Sequence, residues 1–125
     1  MPTIYVSRNG QSLNLKLRDN QGHNPGNSNL TTDVDPDDQV IWELDEDSGL
    51  SELVGVEYSP PGTNPKYNNS VNFFAAPPQK QGDVIVGHIV GQSPGKGARL
   101  NYKIQFKIPG DSRTHEEDPK LQMNS

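Results

Sequence analysis

The chain has 125 residues, only 30 % of them hydrophobic, with 12 Gly, 11 Pro and no Cys. That describes one thin-cored, loop-rich domain, long enough to bury a core, and it excludes a disulfide framework or a thiolate metal site. A net charge of −5, from 11 Lys plus Arg against 16 Asp plus Glu, argues against binding nucleic acid through its phosphates.

Met1-Pro2-Thr3-Ile4-Tyr5-Val6 lacks the basic head and apolar run of a signal peptide, and no apolar run approaches membrane-spanning length. A cytoplasmic protein without membrane insertion is the expectation. The apolar residues fall into strand patterns, which argues against disorder and for an all-β domain.

The first strand is expected over Thr3 to Ser7, with a turn at Arg8-Asn9-Gly10-Gln11. Ser12 to Arg18 alternates, Leu13, Leu15 and Leu17 facing one way and Asn14, Lys16 and Arg18 the other. A polar loop, Asp19 to Ser28, follows and carries His23. Asn29 to Val34 reads as a third strand.

Asp35-Pro36-Asp37-Asp38 is a turn in which proline presets φ and the aspartates accept main-chain hydrogen bonds. It feeds the strand Gln39 to Leu44, which carries the only tryptophan. Val40, Trp42 and Leu44 are expected inward, with the indole plugging the space between two sheets.

Leu53 to Tyr58 reads as a strand through Val54, Val56 and Tyr58. Ser59 to Ser70 is a Pro-, Gly- and Asn-rich loop, Val71 to Phe74 a short strand, and Ala75 to Gln81 a proline-braked connection. Asp83 to Gly91 is the most continuously apolar strand and is expected to be central, covered on both faces. Gln92 to Gly97 reads as a hairpin loop.

Ala98 to Ile108 shows the clearest alternation: Leu100, Tyr102, Ile104, Phe106 and Ile108 inward, Asn101, Lys103, Gln105 and Lys107 outward. Pro109-Gly110-Asp111 turns the chain, and Pro119 to Asn124 makes a last strand through Leu121 and Met123. The spacing of the strands suits a sandwich.

Asp35-Pro36-Asp37-Asp38-Gln39-Val40-Ile41-Trp42, the strand opening at Gly82-Asp83, Leu100-Asn101-Tyr102-Lys103-Ile104 and the closing Asp118-Pro119-Lys120-Leu121-Gln122-Met123 together resemble small cupredoxin-like β-sandwiches. More narrowly, residues 30 to 124 are similar to uncharacterised bacterial domains with a Pro-Gly-Asp-x-Val-x-Trp turn and a terminal Asp-Pro-x-Ile-x-Val strand. Asp37 stands where that turn often has glycine, and Leu121 and Met123 stand for the aliphatic pair. Cupredoxins hold copper with two His, a Cys and usually a Met. Here the segment before the last strand offers only Arg113, Thr114 and His115, and Cys is absent. The resemblance therefore implies the fold without copper or electron transfer.

Charge is unevenly distributed along the chain. From Asp19 to Pro65 there are 11 of the 16 acids and no Lys or Arg, whereas Lys96, Arg99, Lys103, Lys107, Arg113 and Lys120 lie in the C-terminal third. The clusters Asp33, Asp35, Asp37, Asp38 and Asp45, Glu46, Asp47 raise Ca²⁺ as a candidate cofactor. Asp45-Glu46-Asp47-Ser48-Gly49 lacks the EF-hand ligand spacing, and a solvated acidic face is the simpler account, so no cofactor is expected.

His88 sits mid-strand, His23 and His115 lie in distant loops, and no nucleophile motif accompanies them. Ser93-Pro94-Gly95-Lys96-Gly97 lacks the spacing and helix of a phosphate loop.

The expectation is one all-β domain over residues 1–125, a Greek-key, cupredoxin-like sandwich of seven to nine strands. Its function is expected to be non-enzymatic: a structural or protein-interaction module that self-associates or meets a protein partner. The candidate surface sets Asp45, Glu46 and Asp47 against Lys96, Arg99, Lys103 and Lys107, together with exposed strand edges. The alternative is a small-ligand or carbohydrate-binding module, with Ca²⁺ as its candidate cofactor, using the Asn- and Gly-rich loops.

Overall fold

Side chains alternate across a strand, so each strand with one apolar face must lay it on another sheet. The computed structural model describes residues 1–62 and 64–125 and shows ten strands among them. They are β1 (Thr3–Arg8), β2 (Leu15–Asp19), β3 (Thr31–Val34), β4 (Gln39–Leu44) and β5 (Glu52–Tyr58). The second half supplies β6 (Gln79–Gln81), β7 (Val84–His88), β8 (Arg99–Lys107), β9 (His115–Glu117) and β10 (Lys120–Met123).

One sheet runs β2-β1-β4-β7-β6 and the other β3-β10-β8-β5, with β9 also on β8. The neighbours β1 and β4 are parallel, as are β3 and β10, and the remaining pairs are antiparallel. The protein is an all-β sandwich.

Trp42 is fully buried, and its ring meets Tyr102 and Phe74 edge-on, at centroid distances of 5.4 and 6.1 Å. Tyr102 comes from the opposite sheet, so the indole bridges the two layers. Gly87 on β7 makes the room: a Cβ there would lie 3.1 Å from Trp42 Cζ3. Leu100, Ile104 and Phe106 on β8 are also fully buried, as alternation requires. In the turn before β4, Asp37 adopts φ +67°, the left-handed conformation that favours glycine.

β9 and β10 face β8 in one unbroken register, His115 opposite Phe106, Glu117 opposite Ile104, Lys120 opposite Asn101 and Gln122 opposite Arg99. The line is interrupted at Asp118-Pro119, where proline has no N–H to give the ladder. Its carbonyl still accepts the Tyr102 N–H at 3.2 Å.

Several expectations are corrected. The strand count among the described residues is ten rather than seven to nine, because β6 and β9 are three-residue edge strands in stretches that read as connections. Leu13 is 49 % exposed and not inward. The loop over residues 9–14 is wider than a two-residue turn, held by Arg8, whose guanidinium donates to the carbonyls of Gln11 and Ser12 at 2.7 Å.

In β5 the register shifts between Leu53 and Gly55, a bulge that turns Val54 off the inner face and buries Leu53 and Val56 instead. Val71 to Phe74 is not a strand. Phe73 and Phe74 are both buried as the chain crosses between sheets, leaving isolated bridges at Ser70–Arg99 and Phe74–Ile89. The stretch Gln92 to Gly97 joins β7 to β8 in different sheets, so it is a crossover and not a hairpin. Ser59 to Ser70 carries one 3₁₀ turn, Pro65–Tyr67, and Thr63 of that expected loop lies outside the described residues.

Candidate functional site

Asp45, Glu46 and Asp47 follow β4 and border a groove of ≈ 390 Å³ shared with Arg8, Lys16 and Arg18. Arg18 donates to both Asp45 oxygens at 2.8 and 2.9 Å, and its guanidinium lies 4.1 Å over the Tyr5 ring. Those hydrogen bonds hold the Asp45 carboxyl below its ordinary range. Lys96 is exposed in the β7–β8 crossover, and Arg99 donates to Gln122 at 2.9 Å.

Lys103 and Lys107 sit on β8 directly opposite Glu57 and Glu52 of β5. Lys80 of β6 pairs with Glu52 at 2.6 Å and lowers its pKa, chiefly by the hydrogen bond. At β5 and β8 two residues of the acidic block thus stand opposite two of the basic block. The strand register mixes what the chain order keeps apart.

The aspartates of the Asp35–Asp38 turn are engaged with the turn. Asp38 Oδ2 accepts the Asp35 N–H at 2.8 Å, and the Asp38 N–H donates to the Asp35 carbonyl at 3.2 Å. Among the described residues no three His, Asp or Glu side chains converge in a way that would hold a metal ion. His23 and His115 are each tied to an aspartate four residues earlier, Asp19 at 2.7 Å and Asp111 at 3.2 Å, and His88 is exposed at the end of β7.

Sheet edges are the more informative feature, because an edge strand presents main-chain groups to whatever can pair with them. On β2, the Leu15 N–H donates to the Glu117 carboxylate at 3.3 Å. The N–H groups of Leu17 and Asp19 donate to the carbonyls of Asn27 and His23, each at 3.1 Å. Buried Asp19 folds that capping loop, since its carboxylate accepts from the Gln21 and His23 N–H groups and from the Thr32 hydroxyl.

On β3, Gln21 acts as a substitute strand. Its amide donates to the Asp33 carbonyl at 2.7 Å and accepts the Asp33 N–H at 2.9 Å. β6 is three residues long and is preceded by Pro77 and Pro78, which have no N–H to offer.

β5, with seven residues, is the longest edge strand. The Ser59 N–H donates to the Asn101 carbonyl, so Gly55, Glu57 and Ser59 direct their main-chain groups at β8. Val56 and Tyr58 direct theirs outward, and neither meets a main-chain partner there among the described residues. Beside them lies a groove of ≈ 300 Å³ lined mostly by apolar residues, Val56, Tyr58, Phe74, Ala75, Ala76 and Pro77 among them, with Glu57 and Asn72 also at its border. No candidate residue from the sequence falls here. The available signal was Gly55 inside an apolar run, which marks a bulge and hence an edge.

A comparison with protein-family models gives no match, and no curated protein matches the sequence.

Proposed function

We propose that this domain is a non-enzymatic protein-interaction module that accepts an extended segment of another polypeptide along β5. The carrying observation is the contrast between edges: β2 and β3 are capped by the protein's own loop, Gln21 and Glu117, whereas Val56 and Tyr58 border a mostly apolar groove and their outward main-chain groups meet no main-chain partner among the described residues. Strand addition satisfies such groups, and the groove takes the alternate side chains.

Self-association through the same edge is disfavoured. The twofold antiparallel register that sets Val56 opposite Tyr58 also sets Glu57 directly opposite Glu57 of the second copy, and opposed like charges destabilise a strand pair. A different chain is therefore the favoured partner. The test compares proteins retained from cell extract by the wild type with those retained by Ala76→Trp, which fills the groove, and Val56→Pro, which removes one outward N–H. A partner lost by both folded variants supports the reading; a partner retained by both refutes it.

The second reading, a carbohydrate-binding module, is favoured by a polar depression of ≈ 470 Å³ at His23, Asn24, Asn29, Asp33, Arg99 and Gln122. A glycan that shifts these residues in an NMR titration, and leaves β5 unmoved, would move the function there.

A further inference from the structure

We infer that the β5 edge selects an extended segment whose central residues run apolar, basic, apolar, an inference that rests on the strand-capture reading above. In an antiparallel pair, residues directly opposite each other share a face of the sheet. A strand bonded to Val56 and Tyr58 places its residues opposite those two on the groove side, and the residue between them opposite Glu57 on the solvent side.

The groove is mostly apolar: Val56 is 6 % exposed, Phe74 is 7 % exposed, and Ala75, Ala76 and Pro77 also line it, with Glu57 and Asn72 the polar residues at its border. Aliphatic or aromatic side chains belong there, since a charged one would lose its hydration without a partner. The groove's ≈ 300 Å³ is at the small end of the ~300–1,000 Å³ typical of ligand clefts, which suits the side chains of a short segment.

The solvent side is acidic at the edge itself. Glu57 is exposed, and its hydrogen-bond partner is the Gln105 amide at 3.4 Å, which also donates to Glu116 at 3.2 Å. Lys103 stands opposite Glu57 on β8, but the two form no ion pair within 4.0 Å among the described residues. Lys80 of β6 is occupied by Glu52, at 2.6 Å. An arriving Lys or Arg opposite Glu57 would thus complete a row that runs basic, acidic, basic across three strands. Charge complementarity of this kind sets specificity more than it sets affinity.

The probe is a blocked pentapeptide of alternating valine and lysine (Val-Lys-Val-Lys-Val), compared with its Val-Glu-Val-Glu-Val counterpart, each titrated into isotope-labelled full-length protein and followed by amide NMR. The expected result is shifts confined to Gly55–Ser59 and Ala75–Ala76, about tenfold weaker binding of the glutamate peptide, and reversal of the preference in Glu57→Lys. Equal binding of both peptides at β5 would overturn the charge selection and leave strand capture standing. Binding of neither at β5, or binding of the lysine peptide at Asp45–Asp47 alone, would overturn strand capture itself. Ala76→Trp, folded by circular dichroism, should abolish the β5 shifts; retention of them overturns the assignment of the groove.

Discussion

The indole N–H of Trp42 donates a 3.1 Å hydrogen bond to the hydroxyl of Tyr102, joining the two sheets at a point where both residues are fully buried. A buried donor that loses its acceptor keeps its desolvation cost, so this pair ties stability to one oxygen atom. Burial also pushes the Tyr102 phenol well above its ordinary pKa, so it stays neutral. Tyr102→Phe should destabilise the domain by ~1–3 kcal/mol. Urea unfolding followed by tryptophan emission reads the loss directly, and no change in midpoint would contradict the geometry.

Gly87→Ala should cost a comparable amount by the opposite mechanism. The added Cβ would lie 3.1 Å from Trp42 Cζ3 and 3.4 Å from the Pro78 ring, inside a packed layer. Overpacking of this kind costs roughly 1–3 kcal/mol. Thermal unfolding would show it, and the near-ultraviolet dichroism of the indole should change at the same time.

Gln21→Ala tests the substitute strand on β3. Two exposed hydrogen bonds to Asp33 would be lost, so the expected change in stability is small, ~1 kcal/mol or less per bond. The local effect should be much larger, with the Asp33 amide exchanging faster while that of β8 residue Ile104 stays protected. Unchanged exchange at Asp33 would show that Gln21 does not guard the edge.

Glu57→Gln removes the charge that a twofold β5 pairing would place against itself. Light scattering on a sizing column should show the wild type as a monomer near neutral pH and the variant shifted toward dimer. If both remain monomeric at high concentration, repulsion at Glu57 is not what limits self-pairing.

Acid should destabilise the fold through Asp45 and Asp111. Hydrogen bonds from Arg18 and from Arg113, respectively, hold the two folded-state carboxyls below the ordinary carboxylate range. A depressed folded pKa favours the folded state above the unfolded value, and that contribution is lost as pH falls through the folded one. The loss should therefore set in as pH falls into the ordinary carboxylate range and not near neutrality. Urea midpoints from about pH 5 to about pH 2 measure it, and Arg18→Gln should flatten part of the slope.

The inner face of β8 was legible in the sequence because Leu100, Tyr102, Ile104 and Phe106 alternate without interruption, and all four are buried as the period demands. Trp42 was legible for the same reason, whereas the left-handed conformation of Asp37 was not read from the sequence. Leu13 was misread because alternation continues past the true start of β2. Arg8, bonded to the carbonyls of Gln11 and Ser12, and the Asn9–Asn14 and Ser12–Asn9 main-chain bonds keep the chain in a loop there. Val54 was misread because a bulge shifts the face of every residue that follows it.

The sequence by itself determined an all-β chain, its main core strands and the Trp-bearing turn, because these follow from short-range periodicity and turn chemistry. Only the tertiary structure decided which edges are capped and where the charges meet. Glu117 reaches Leu15 across 102 positions, and Lys103 faces Glu57 through strand pairing. Main-chain groups are the same at every residue, so no local pattern marks Val56 and Tyr58 as open. That property belongs to the neighbours the fold does or does not bring beside them.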